Sequence, residues 1–129
     1  MKKSLLLLPL LMVTCFCFAQ YTEAEKIIDK SVKIGNLIIA QIDFPEQMEW
    51  DDAKEACKTL GKGWRLPTKK ELNILYKNRK KIGEFTTNYY WSSSEGQHGD
   101  GAWYQDFDGG EQVDGLKRTK NAIRAVRSF

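Results

Sequence analysis

The feature that most constrains this chain is Gly63-Trp64-Arg65-Leu66-Pro67-Thr68-Lys69-Lys70-Glu71-Leu72. Thr68 and Glu71 have the spacing of a capping box, in which a threonine hydroxyl accepts from the third backbone N–H of a helix and the glutamate reaches back. Pro67 stands just before that cap, and Leu72, Leu75 and Tyr76 follow at helical spacing. A helix over about 69–78 is predicted, entered through a tight connection that turns Trp64 and Leu66 inward. Upstream, Trp50, Ala53, Cys57 and Leu60 recur on one helical face. Asp51 and Asp52 lie in that first turn, where the helix dipole favours acids, and Gly61 stands at the stop.

The remaining segments read as strands. Residues 32–44 are β-branched and apolar around Gly35-Asn36, a strand or bent hairpin closed by Pro45. Short strands are expected at 89–93, 102–107 and 122–128, with a small one near 111–113. Glycine-rich loops separate them at 95–101 and 108–110. Helices first and strands later make an α+β domain. Residues 20–31 read as a lead-in or short helix, and 32–129 as the domain.

These blocks resemble a family of bacterial domains of unknown function typified by the C-terminal domain of the Legionella collagen-like adhesin. The matching residues run in order from about 34 to 129. They are Ile38–Ala40, Trp50-Asp51-Asp52-Ala53, Cys57, Leu60-Gly61, the 63–72 block, Trp91-Ser92-Ser93, and Arg124 with Arg127. The resemblance implies a C-type-lectin-like fold, with two helices packed on small, mostly antiparallel sheets and the first and last strands paired. Residues 32–40 would then lie beside 123–129. Arg65-Leu66-Pro67-Thr68 is also similar to the formylglycine-generating-enzyme branch of that superfold. The branch needs a late pair of cysteines, and no cysteine follows Cys57, so its chemistry is not implied.

The first nineteen residues have the form of a signal peptide. Lys2 and Lys3 precede an apolar run over 5–18, broken by Pro9, and Cys17-Phe18-Ala19 offers a small-residue cleavage site. Export is expected, to the periplasm, the cell surface or the medium. Lipidation at Cys15 ranks second, because Met12-Val13 suits a lipidation signal poorly. Of 20 basic and 17 acidic residues, cleavage removes Lys2 and Lys3. The charges then nearly balance, which argues against nucleic acid as a partner. Cys57 is left as a single cysteine on an apolar helical face, where a small buried thiol is expected.

Chemistry is sparse. The one histidine, His98, shares a turn with Ser92–Ser94 and Asp100, whereas a Ser-His-Asp site draws its groups from separate rigid elements. No enzyme activity and no cofactor is expected. Asp106, Asp108, Glu111 and Asp114 could suit calcium, but Gly110 stands where an EF-hand loop needs Asp or Asn. No metal site is assigned to them. Alternation along 102–107 places Trp103, Gln105 and Phe107 on one face and Tyr104 and Asp106 on the other. Trp103 and Phe107 are expected in the core. Tyr104 and Asp106 are left for a ligand, next to a loop bearing Glu95, His98 and Asp100. Two basic runs, Lys117-Arg118-Thr119-Lys120 and 77–81, have the form of sulfated-glycan sites. Arg124 and Arg127 are expected to be structural, one of them paired with Glu71 or another acid.

The ligand-binding candidates are therefore Glu95, His98, Asp100, Tyr104, Asp106, Lys117, Arg118 and Lys120. Carbohydrate, sulfated or acidic, is the leading ligand expectation. A protein-binding display domain and a structural part of a surface assembly are the alternatives.

Overall fold

A computed structural model describes residues 22–129; the signal-peptide expectation and Cys15 lie outside the described residues. Four helices and six strands follow in order: α1 (Glu23–Ile28), β1 (Val32–Ile34), β2 (Leu37–Ile39), α2 (Trp50–Lys58), α3 (Lys69–Lys77), α4 (Arg79–Ile82), β3 (Tyr89–Glu95), β4 (Gly101–Asp106), β5 (Gln112–Leu116) and β6 (Val126–Ser128). The strands form two antiparallel sheets, ordered β1-β2-β6 and β3-β4-β5.

The capping box at Thr68 is complete, and the same Glu71 carboxylate receives both ends of the Arg65 guanidinium, at 2.6 and 3.1 Å. Arg65 also bridges Val126 through backbone hydrogen bonds. The start of α3 is thereby tied to β6. The partner of Glu71 is thus Arg65, while Arg124 takes a different acid, Asp43.

Gly35 turns β1 into β2 at φ +55, the glycine-first turn that suits a twisted hairpin. The hairpin covers part of the 32–44 stretch, since β2 ends at Ile39. Its inner strand, β2, pairs with β6 in the register Leu37↔Ser128, Ile38↔Arg127 and Ile39↔Val126. The two ends of the domain meet as expected, with β1 on the outside. The closing strand is shorter than the predicted 122–128. Residues 121–126 are buried, but their backbone serves several neighbours in turn. Trp91 N–H donates to Ala122, Phe44 N–H to Ile123 and Ala40 N–H to Ala125. A segment shared among so many partners builds no ladder with one of them.

Adjacent residues of β3 point to opposite faces, and each face has its own core. Trp91 joins Trp50, Ala53, Cys57, Trp64, Leu66 and Ile123 beneath α2. Tyr90 joins Leu72, Leu75, Phe107 and Val126 beneath α3. The two indoles are anchored as well as buried. Trp91 Nε1 donates to Met48 O at 2.8 Å, and Trp50 Nε1 to Ser92 O at 2.7 Å. Ile27 of α1 is also buried in the first core. The lead-in is therefore the short-helix alternative, packed on the domain. Cys57 is buried, and burial pushes its thiol up to about 12.

Candidate functional site

Among the described residues one charged side chain is buried without any access to water, that of Arg124. Its Nε donates to Asp43 Oδ1 at 2.7 Å, Nη1 to the carbonyls of Ala40 and Gly83, and Nη2 to the carbonyl of Glu84 at 2.6 Å. Its guanidinium lies 3.9 Å from the Phe85 ring centroid. Tyr90 completes the group, donating its hydroxyl to Asp43 and accepting from Thr86 N–H. Burial holds the Asp43 carboxyl above its usual range despite the facing guanidinium. A buried ion pair of this kind positions more than it stabilises.

What it positions is the loop between α4 and β3. Gly83 sits at φ +87 and Glu84, a non-glycine, at φ +60, a conformation that costs energy and persists where the surroundings enforce it. Two of the three carbonyls held by Arg124 belong to these residues. The loop walls a cleft of about 300 Å³ with Arg79, Lys80, Phe85, Thr86 and Thr87 along it. Arg79 lies over the Tyr76 ring and donates to Tyr76 O. Among the described residues neither Arg79 nor Lys80 is in an ion pair. The basic run 77–81 was visible in the sequence, but its junction with Thr86 and Thr87 was not.

The eight predicted residues separate. Glu95, His98, Asp100, Lys117 and Arg118 gather at the other end of the second sheet, and Lys120 is exposed just past the turn that follows β5. Glu95 ends β3 rather than belonging to the loop. Asp100 and Arg118 line one shallow cleft of about 160 Å³, and His98 with Asp100 another of about 140 Å³. Lys117 is committed, with its ammonium 3.3 Å from Glu95 and 2.9 Å from Gly99 O. Asp114 also points into this loop, accepting from Gln97 N–H at 2.8 Å. The carboxylates of Glu95, Asp100 and Asp114 thus stand among the cations, and neither sign is in excess. Ser92 is buried and donates to Trp103 O, while Ser94 accepts from Lys69 N–H. Both hydroxyls are engaged away from His98.

Tyr104 and Asp106 lie elsewhere. Asp106 is five residues along β4 from Gly101, roughly 17 Å at about 3.4 Å per residue, so it shares no surface with the 117–120 turn, while Tyr104 lies between, against Val113 and Gly115. Tyr104 is half-buried, edge-on to Trp91 at 5.7 Å and beside Tyr89 at 5.2 Å. Burial, then the neighbouring Tyr89, raises its phenol above the usual value. Asp106 accepts from Asp108 N–H at 2.8 Å. Among the described residues no group of three or more metal-ligating side chains occurs.

Trp103 overturns an expectation. It does not enter the core but stays half-buried, with the Lys69 ammonium 3.4 Å from its ring centroid. Its face of the sheet does meet α3, as alternation requires. The first turn of α3, however, brings Lys69 there instead of an apolar side chain. Gln105 takes the buried place, donating to Asn73 Oδ1 and Gly110 O.

Comparison with known proteins settles the fold. The family model described as the Lcl C-terminal domain matches residues 22–127. No curated protein matches the chain. Among solved structures, the snake venom toxin convulxin superposes with a TM-score of 0.59 at 12% identity, covering 77% of this chain and 95% of that one. EMS16, an antagonist of the collagen receptor integrin alpha2beta1, gives 0.58 at 14% identity, with 77% and 97% covered. Botrocetin gives 0.57 at 13% identity, with 77% and 96% covered, and another of its structures is a complex with a von Willebrand factor A1 domain. At these identities the likeness shows a C-type-lectin-like fold and no ligand.

Proposed function

This chain belongs to the Lcl C-terminal domain family, and from that premise we propose that it is an exported, non-catalytic domain that binds acidic or sulfated glycan. The observation that carries this reading is the cleft of Arg79, Lys80, Thr86 and Thr87. Two cations and two hydroxyls line it against a single carboxylate, Glu84, and the loop behind it is fixed before any ligand arrives. Sulfate and carboxylate groups need both, charge for attraction and directed donors for placement. A loop already ordered loses less entropy on binding than a mobile one. The 117–120 turn supports the reading less, because Lys117 already faces Glu95.

The test is a glycan array that includes heparin-like polymers, run with the secreted chain at low and physiological salt. Expected are hits on acidic glycans that weaken with salt and fall roughly ten-fold or more in Lys80→Glu. Binding that survives Lys80→Glu but disappears in Arg118→Glu would move the site to the other end of the sheet. No acidic hit under either condition would reject the reading.

A further inference from the structure

Beyond its buried core, the Trp91 face of the second sheet carries an exposed margin that glycan binding at the cleft leaves unused. Its register sets Tyr89 beside Asp106, and Tyr104 beside both Trp91 and Val113. Asp106 N–H donates to Glu111 O, which extends the first of these rows by one residue. Alternation then places Tyr89, Tyr104, Asp106 and Val113 on a single face. Trp91, on the same face, is buried in the first core and supports the Tyr104 ring from the side, while Tyr89 and Val113 remain 49% and 38% exposed. Gly115 leaves room for the Tyr104 ring, because a Cβ there would overlap it. The result is an aromatic and apolar step built on a rigid strand pair.

Its border is acidic. Asp106 shares the face, and Asp108 and Glu111 are exposed in the adjoining turn. Among the described residues none of them is in an ion pair. Tyrosine rings attract cations through their negative faces, and a carboxylate beside the ring adds a directed acceptor. Acidic glycan is repelled from the same place. We propose that this face docks a protein partner, taking an arginine or lysine side chain of the partner against Tyr89 and Tyr104 with Asp106 as its counter-charge. Apolar contact at Val113 supplies the rest of the footprint. The proposal is independent of the cleft and survives if the glycan reading fails.

The probe is a short peptide, acetyl-Ala-Arg-Leu-Arg-Ala-amide, with a twin carrying citrulline for both arginines. Each is titrated into the isotope-labelled secreted chain and followed by NMR. Shifts are expected at Tyr89, Tyr104 and Val113 and not over 79–87. The arginine peptide is expected to bind roughly five-fold tighter than its twin. Tyr89→Ser and Asp106→Asn are each expected to remove that preference. Tyr89 is exposed and Asn keeps an acceptor for Asp108 N–H, so the variants retain the fold, which the same spectra report. Equal binding of the two peptides, shifts elsewhere, no shifts at all, or indifference to both variants would overturn the proposal. The same shifts on concentrating the chain alone would make a second copy the occupant and overturn it too.

Discussion

Two ends of the second sheet carry polar side chains, and they are built in opposite ways. At the 83–87 end, the loop is held from beneath by Arg124, which has no contact with solvent. At the 95–101 end, the loop is held from the surface by Lys117 and Asp114, whose charges are used in the holding. The first arrangement holds its loop without using Arg79 or Lys80, while the second commits Lys117 to Glu95 and sets Arg118 beside Asp100. A cluster of charges seen in sequence is therefore a site only where something else supports the backbone.

The sharpest way to break this contrast is Arg124→Met. Removing one partner of a buried pair costs about 3–5 kcal/mol, and Asp43 would be left without its guanidinium. Urea unfolding measures the loss. Adding Asp43→Asn, which keeps an acceptor for the Tyr90 hydroxyl, is expected to restore much of the stability but not the glycan binding. Recovery of both would mean that the pair does not position the loop.

A smaller effect is expected in acid. Hydrogen bonding from Arg65 holds the Glu71 carboxyl below its usual range, helped by Thr68. A depressed carboxylate contributes stability that is present above its unfolded value and lost as pH falls through the folded one. The unfolding midpoint is expected to decline below about pH 4.5, and Glu71→Gln is expected to lower stability at neutral pH while flattening that decline. An identical acid profile in the variant would assign the decline to other carboxylates.

The smallest change is expected at the other end of the sheet. Glu95→Gln removes the partner of Lys117, and an exposed pair of this type is worth at most about 1 kcal/mol. Urea unfolding is expected to change within that limit, with binding to acidic glycan unchanged or slightly raised as Lys117 is released. A loss comparable to that of Arg124→Met would erase the distinction between the two ends.

Much of this fold was legible because its rules are local. The helix at 69–77, its cap, the inward turn of Trp64 and Leu66 and the burial of Cys57 all follow from spacing within a few residues. At Gly35 the sequence left a strand and a bent hairpin open, and the structure has the hairpin. The site was less legible. Alternation assigned Trp103 and Tyr104 to opposite faces correctly, but it could not say that Lys69 would cover one and Trp91 support the other. Arg124 was recognised as structural, yet its carboxylate partner lies 81 residues away.

By itself the sequence determined where this chain turns, caps and buries, since those choices are made by dihedral preference, hydrogen bonds within one turn and apolar periodicity. Tertiary structure alone decided which charges stay available. An ion pair or a supported loop needs groups from distant segments brought within a few ångströms, and packing sets that distance.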